Sequence, residues 1–314
     1  MSLLPQVQQF LDVLNHQITP FLQAQGFTVN AINAREALAG LTFQHVTRKQ
    51  EVAQVLDDTV ASLDGGYAVP LRIYHPNPQQ ALPVLVYFHG GGGVVGSVSI
   101  YDQICRRIAD ATQYIVVAPE YRLAPENPYP AAQDDALTVI QNIEALLAAK
   151  DILFTPRFAI GGDSAGGALC TNLLRSDHEV RGDIIAQVLV YPSVDFTMTL
   201  PSVTTYGEGY LLTAERMHWY FAQYLHGHED HREASSLYNP LPDDMPPTLV
   251  ISAIYDPLYD EGRAYVDKVI AAGFEAEHLE IDGVVHAFLN MEDLCPEQCA
   301  QTYAAMGEFL AKQV

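Results

Sequence analysis

Three residues of the chain stand where a serine nucleophile, its base and an orienting acid would be needed. Ser164 lies in Gly162-Asp163-Ser164-Ala165-Gly166, a G-x-S-x-G pattern. Asp256 follows the apolar run TLVISAIY, and His286 lies in DGVVHAF just after AEHLEI. A serine hydroxyl is a poor nucleophile at neutral pH. It needs a base to take its proton, and the base needs a carboxylate to hold it. The order Ser, Asp, His, with each residue at the carboxyl end of a predicted strand, points to acyl transfer through a covalent intermediate. Asp260 and Glu261 compete with Asp256, but they fall at the start of the next helix and read as its caps. Asp282 reads as an ordinary turn residue. His226, His228 and His231 in HGHEDH look like metal ligands, yet they sit in a polar connection and read as a solvated loop, so no metal is expected.

A second feature is the stretch VLVYFHGGGGVVGS, Val84 to Ser97. Gly91, Gly93 and Gly96 satisfy G-x-G-x-x-G, and Glu120 lies a little over twenty residues further on, roughly the layout of a dinucleotide-binding turn. That reading leaves Ser164, Asp256 and His286 without a joint explanation. The alternative is His89-Gly90-Gly91-Gly92 as an HGGG loop, in which glycines let backbone N–H groups approach a reacting carbonyl. It accounts for all four segments.

The elements that must position these residues alternate. Around Asp64-Gly65-Gly66 the chain reads as a hairpin. VLVYFH, YIVVAPEY, RFAIGG, IAQVLVYP, TLVISAIYD and AEHLEI then read as strands, with helices near Tyr101–Ala111, Ala132–Ala149 and Pro296–Lys312 among those between. Such alternation predicts a mostly parallel sheet with helices on both faces, an α/β fold. The tight turn at Gly162–Gly166, between a short strand and a small-residue helix, suits a serine held in a strained conformation. Leu3, Val7, Phe10, Leu14, Ile18 and Phe21 recur at helical spacing and predict an amphipathic N-terminal helix. The stretch from Asp195 to about Pro246 interrupts the alternation with a helical TAERMHWYFAQYL, and reads as an insertion above the sheet.

Composition narrows the function classes. A formal net charge of −22 repels nucleic acid and anionic membranes. No apolar run approaches the roughly 18 residues a membrane span needs. Glutamines interrupt the opening residues, the first basic residue is Arg35, and no signal peptide is read. Cys105, Cys170, Cys295 and Cys299 show no zinc spacing and read as reduced thiols of a cytoplasmic protein.

With these residues in place, the chain resembles the hormone-sensitive-lipase family of α/β-hydrolases, the family IV bacterial carboxylesterases. HGGG at His89, YRLAPENPYPAAQDD at Tyr121, GDSAGG at Gly162, YDPLYDEG at Tyr255 and GVVHAF at Gly283 appear in order. The resemblance implies an α/β-hydrolase fold with a helical cap. Residues 1–47 and 195–246 would form the cap, and 48–194 with 247–314 the catalytic domain. It implies Ser164 as nucleophile, His286 as base, Asp256 as its orienter, and the N–H groups of Gly91, Gly92 and Ala165 as the oxyanion hole. His89, Gly93 and Asp163 are assigned to substrate binding. The expected reaction is cofactor-free hydrolysis of small carboxylic esters of short to medium chain length. A homodimer is the assembly considered. The alternatives are a non-catalytic receptor on the same scaffold and an amidase or deacetylase. The chain departs from the family's pattern at Gly93, where an aromatic is common, at Tyr101, where a histidine is usual, and at Ala287, where a glycine is common. The first departure predicts an open space beside the oxyanion loop, the competing reading being that Gly93 is required by a positive φ.

Overall fold

The computed structural model describes residues 2–62, 65–175, 184–228 and 230–314. Eight strands form one sheet: β1 (Gln54–Ala61), β2 (Ala68–His75), β3 (Leu82–Phe88), β4 (Ile115–Pro119), β5 (Phe154–Asp163), β6 (Ile184–Val190), β7 (Thr248–Tyr255) and β8 (Ala276–Val285). Their order is β1-β2-β4-β3-β5-β6-β7-β8. From β4 to β8 every pairing is parallel. β2 runs antiparallel to both β1 and β4. The β1–β2 pair is the expected hairpin, although Asp64 of its turn lies outside the described residues.

The parallel strands β3, β4, β6 and β7 are buried on both faces, which is why they read as unbroken apolar runs. Along β3, Val84, Val86 and Phe88 face one core, while Leu85 and Tyr87 face the other. The first core includes Ala132, Ala136 and Val139 of the helix Ala131–Ala149 and Leu169 of the helix Ala165–Leu173. The second includes Ile104 and Ile108 of the helix Asp102–Thr112 and Met306 and Phe309 of the helix Pro296–Ala311.

Two features of the topology set the site. The chain leaves β3 toward β4 on one side, then returns to place β5 on the other, so the loops after β3 and β5 flank a switch point of the kind where ligands bind. Their parallel register pairs Phe88 with Gly162, and the next residues, His89 and Asp163, emerge side by side. The same logic acts at the far edge. Tyr255 pairs with Val285, so Asp256 and His286 also emerge together.

The N-terminal segment differs from the single amphipathic helix expected. It runs as α-helix over Pro5–Val13, a π-turn over Leu14–Ile18, and α-helix again over Thr19–Ala24. Pro20 supplies the cause, since it donates no N–H and crowds the carbonyl one turn back. Val7 is buried, but Ile18 and Phe21 at the far end of the stripe are exposed. A further helix, Ala31–His45, starts at a capping box between Asn30 and Asn33. Within the stretch 195–246, the helical TAERMHWYFAQYL forms the helix Ala214–Tyr224, capped by the Thr213 side chain. Among the described residues, no helix is long and apolar enough to cross a membrane.

Candidate active site

Ser164 sits between β5 and the helix Ala165–Leu173 with φ 53° and ψ −118°. That backbone conformation is strained for a residue with a Cβ. The flanking glycines make it possible. A methyl on Gly166 would stand 1.9 Å from the Phe88 carbonyl oxygen, and one on Gly162 would stand 2.5 Å from the Gly166 carbonyl carbon. The Ser164 N–H donates to the Val190 carbonyl at 2.9 Å, tying the turn to β6.

The three residues singled out by type and order come together. His286 Nε2 lies 3.0 Å from Ser164 Oγ, and its Nδ1 lies 2.7 Å from Asp256 Oδ2. The carboxylate acceptor fixes Nδ1 as the protonated nitrogen, which leaves Nε2 free to accept the serine proton. Asp256 is fully buried, and its other oxygen accepts the Leu258 N–H at 2.8 Å. The His286 ring also packs on Tyr191, with centroids 4.8 Å apart. Glu261, expected as a helix cap, instead turns inward: its Oε1 accepts the N–H groups of Val194 at 2.7 Å and Asp195 at 3.3 Å, holding the loop after β6.

Gly91, Gly92 and Ala165 line the same cavity as Ser164 and His286. None of their N–H groups donates to another described residue. Ala165 opens its helix, where unpaired N–H groups and the helix dipole favour negative charge. Gly91 and Gly92 have φ of 122° and 62°. Here glycine is required by conformation and by space alike, since a methyl on Gly91 would stand 2.1 Å from the Val95 carbonyl oxygen.

His89 and Asp163 brace this loop. Burial pushes the His89 imidazole down to about 4, so the ring is neutral at physiological pH. Its Nδ1–H donates to the Gly90 carbonyl at 2.8 Å, and the ring stacks on Tyr121 at 4.4 Å. In a trans peptide the N–H points opposite to the C=O, so holding the Gly90 carbonyl aims the Gly91 N–H the other way. Asp163 is buried against Tyr101 and Tyr87, whose hydroxyls donate to its carboxylate at 2.9 and 3.2 Å. The Gly90 N–H donates to it at 2.9 Å. Burial raises its carboxyl to about 6, against the opposing effect of these hydrogen bonds. Asp163 lines the cavity, whereas His89 and Gly93 do not.

The open space expected beside Gly93 is absent. A methyl there would stand 2.5 Å from Cδ2 of Tyr224, and the residue has φ of 70°. Glycine at 93 therefore reflects backbone conformation and a tyrosine already in place. The sequence reading also missed Arg35, which donates to the Val94 carbonyl at 2.9 Å and the Ala124 carbonyl at 3.1 Å and pairs with Glu126. Of the three insertion histidines, His231 Nδ1 lies 3.1 Å from the Phe196 carbonyl oxygen and His228 packs edge-on to Tyr129. Among the described residues, no group of three or more side chains could hold a metal ion.

The cavity has a volume of about 1180 Å³, at the large end for small-molecule sites. Leu14, Leu22 and Phe27 line it from the N-terminal segment, and Trp219, Tyr220 and Phe221 from the stretch 195–246.

This sheet, with a strained serine at the switch point and a histidine and aspartate from the last two strands, defines an α/β-hydrolase. Residues 85–290 match the family described as alpha/beta hydrolase fold. The chain belongs to that family, in its hormone-sensitive-lipase-like branch. It is similar to an ethyl acetate hydrolase of Pseudomonas putida, at 34% identity over 80% of this chain and 81% of the relative. An arylesterase of Saccharolobus solfataricus is 31% identical over 99% of this chain and 98% of its own length. Among solved structures, a hyperthermophilic esterase from the archaeon Pyrobaculum calidifontis superposes with a TM-score of 0.87 at 32% identity, covering 99% of each chain.

Proposed function

We propose that the chain hydrolyses carboxylic esters by acyl transfer through Ser164. It is a carboxylesterase, in keeping with its relatives among ester hydrolases. The observation that carries the residue assignment is the unbroken path from Ser164 Oγ through the His286 ring to the buried Asp256 carboxylate. Ser164 Oγ attacks the ester carbonyl carbon while His286 Nε2 takes its proton. Asp256 holds the ring and stabilises the imidazolium that forms. The carbonyl oxygen becomes an anion and receives the N–H groups of Gly91, Gly92 and Ala165, which need no reorganisation to donate. The C–O bond then breaks, and His286 returns the proton to the departing alcohol. Water repeats the sequence on the acyl-enzyme, releasing the acid and restoring the serine.

The N-terminal segment and the stretch 195–246 act as a cap, a reading supported by the residues each contributes to the cavity lining. Such a covered cavity suits small dispersed esters of short to medium chain length. The four cysteines are free and buried, which supports a cytoplasmic location. The homodimer considered from the sequence is checked by light scattering on the purified chain. The test of the activity is turnover of p-nitrophenyl acetate together with labelling by a fluorophosphonate. Both are expected in the wild type and lost in Ser164→Ala. Undiminished turnover in the variant would place the nucleophile elsewhere.

A further inference from the structure

The helix Ala214–Tyr224 comes from a part of the chain remote from HGGG, yet it lies directly on that loop. A methyl on Gly92 would stand 2.5 Å from Cγ of Tyr220 and 2.6 Å from its Cδ1. The Tyr224 ring takes the corresponding place at Gly93. Residues four apart share one face of a helix, so a single helix face lays two rings on two consecutive glycines, the first a proposed oxyanion donor.

The two rings are held differently. Tyr224 is buried, accepts a hydrogen bond from Gln133 Nε2 at 2.6 Å through its hydroxyl, and meets Tyr129 edge-on. Its carbonyl accepts the Tyr129 N–H at 2.8 Å. On the other side, the Gly93 carbonyl accepts the Ala124 N–H at 2.8 Å. Tyr224 is thus wedged between the loop and the segment 124–133. Tyr220 is only partly buried, lines the cavity, and its hydroxyl bonds to no described residue. Among the described residues its one ring neighbour is Trp219, at 5.1 Å.

An oxyanion bound at the Gly92 N–H lies about 3 Å from that nitrogen, so the carbonyl carbon and its substituents come within reach of a ring packed on the same residue. We infer that Tyr220 is a specificity-determining residue, the wall against which one substituent of the scissile carbonyl must fit, and that Tyr224 is a positioning residue that fixes the oxyanion loop. The bulk tolerated beside the carbonyl is accordingly set by Tyr220. The inference rests on the ester-hydrolase reading.

The experiment compares kcat and KM for matched esters: p-nitrophenyl pivalate against acetate for the acyl side, and tert-butyl against ethyl acetate for the alcohol side. Tyr220→Ala should raise at least one branched-to-compact ratio of kcat/KM by about tenfold or more, the scale of a few methyl groups in a pocket. Tyr220→Phe should leave both ratios near wild type. Tyr224→Ala should lower kcat on the compact esters about tenfold with KM little changed, as loss of transition-state alignment requires, and Tyr224→Phe should restore it. Should Tyr220→Ala not fold, Tyr220→Leu makes the same comparison. Unmoved ratios in a folded variant that still labels with fluorophosphonate overturn the specificity role. An unmoved kcat in Tyr224→Ala, or a loss that Tyr224→Phe does not restore, overturns the positioning role. A wild type that neither turns over nor labels at Ser164 overturns the ester-hydrolase reading itself.

Discussion

At Ser164 the backbone carries strain while the side chain stands where the proposed chemistry needs it. A φ of 53° lifts Oγ off the end of β5 toward His286 Nε2, 3.0 Å away. In the proposed mechanism serine and histidine act in one proton transfer, so their losses should not multiply. Ser164→Ala and His286→Ala should each remove most ester turnover, and the double variant should be little worse than either. Single-turnover rates check this, and multiplying losses would separate the two residues. Asp163 offers a second test through its buried carboxyl. Its folded pKa is about 6 against an unfolded value of 3.8, so the folded chain holds the extra proton in the window between them. Stability therefore falls as pH rises through that window, and above it charging the group costs roughly 3 kcal/mol. Asp163→Asn lacks this titration. The unfolding free energy of the variant relative to wild type should climb between about pH 4 and 6 and level off beyond. Urea unfolding at stepped pH reads it, and a flat difference would contradict the buried, protonatable carboxyl.

Among the elements, the fastening of the N-terminal segment is the part to probe. Arg35 reaches from the helix Ala31–His45 to the carbonyls of Val94 and Ala124, and also pairs with Glu126. The pair is partly exposed, so its own worth is small. Arg35→Ala should cost about 1–2 kcal/mol through the lost charged donors, and Glu126→Ala less than about 1 kcal/mol. Urea unfolding of both variants checks this, and equal losses would show that the ion pair does the fastening. The parallel strands β3, β4, β6 and β7 were legible in the sequence because each is an apolar run buried on both faces, and β3, β5, β7 and β8 are each followed by a residue whose type suggests chemistry. The order Ser164, Asp256, His286 was legible for the same reason. The seats of Tyr220 and Tyr224 on Gly92 and Gly93 were not, since they join positions more than a hundred residues apart and no local pattern encodes that distance. Glu261 misled because an acid in a first helical turn usually serves its own helix. Only the fold brings the N–H groups of Val194 and Asp195 to it. The break in the N-terminal stripe did have a signal, Pro20, which the apolar spacing alone overrode.

For the molecule as a whole, 38 acidic residues face 16 lysines and arginines. Like charges crowded on a folded surface repel one another more than in the expanded chain, and salt screens them over about 10 Å at 0.1 M. Raising sodium chloride from about 10 mM to about 500 mM should therefore raise the melting temperature. Thermal unfolding across that series checks the sign, and a falling midpoint would mean that attractive pairs outweigh the repulsion. The proposed oxyanion loop has a larger consequence. Arg35 grips it from the N-terminal segment and Tyr224 from the stretch 195–246, so the two parts of the proposed cap are not interchangeable modules. A cap grafted from a relative would arrive without the partners of the Val94 carbonyl and of Gly93. To work as a unit of inheritance, whether in evolution or in a chimera, it has to travel with the glycine loop it holds.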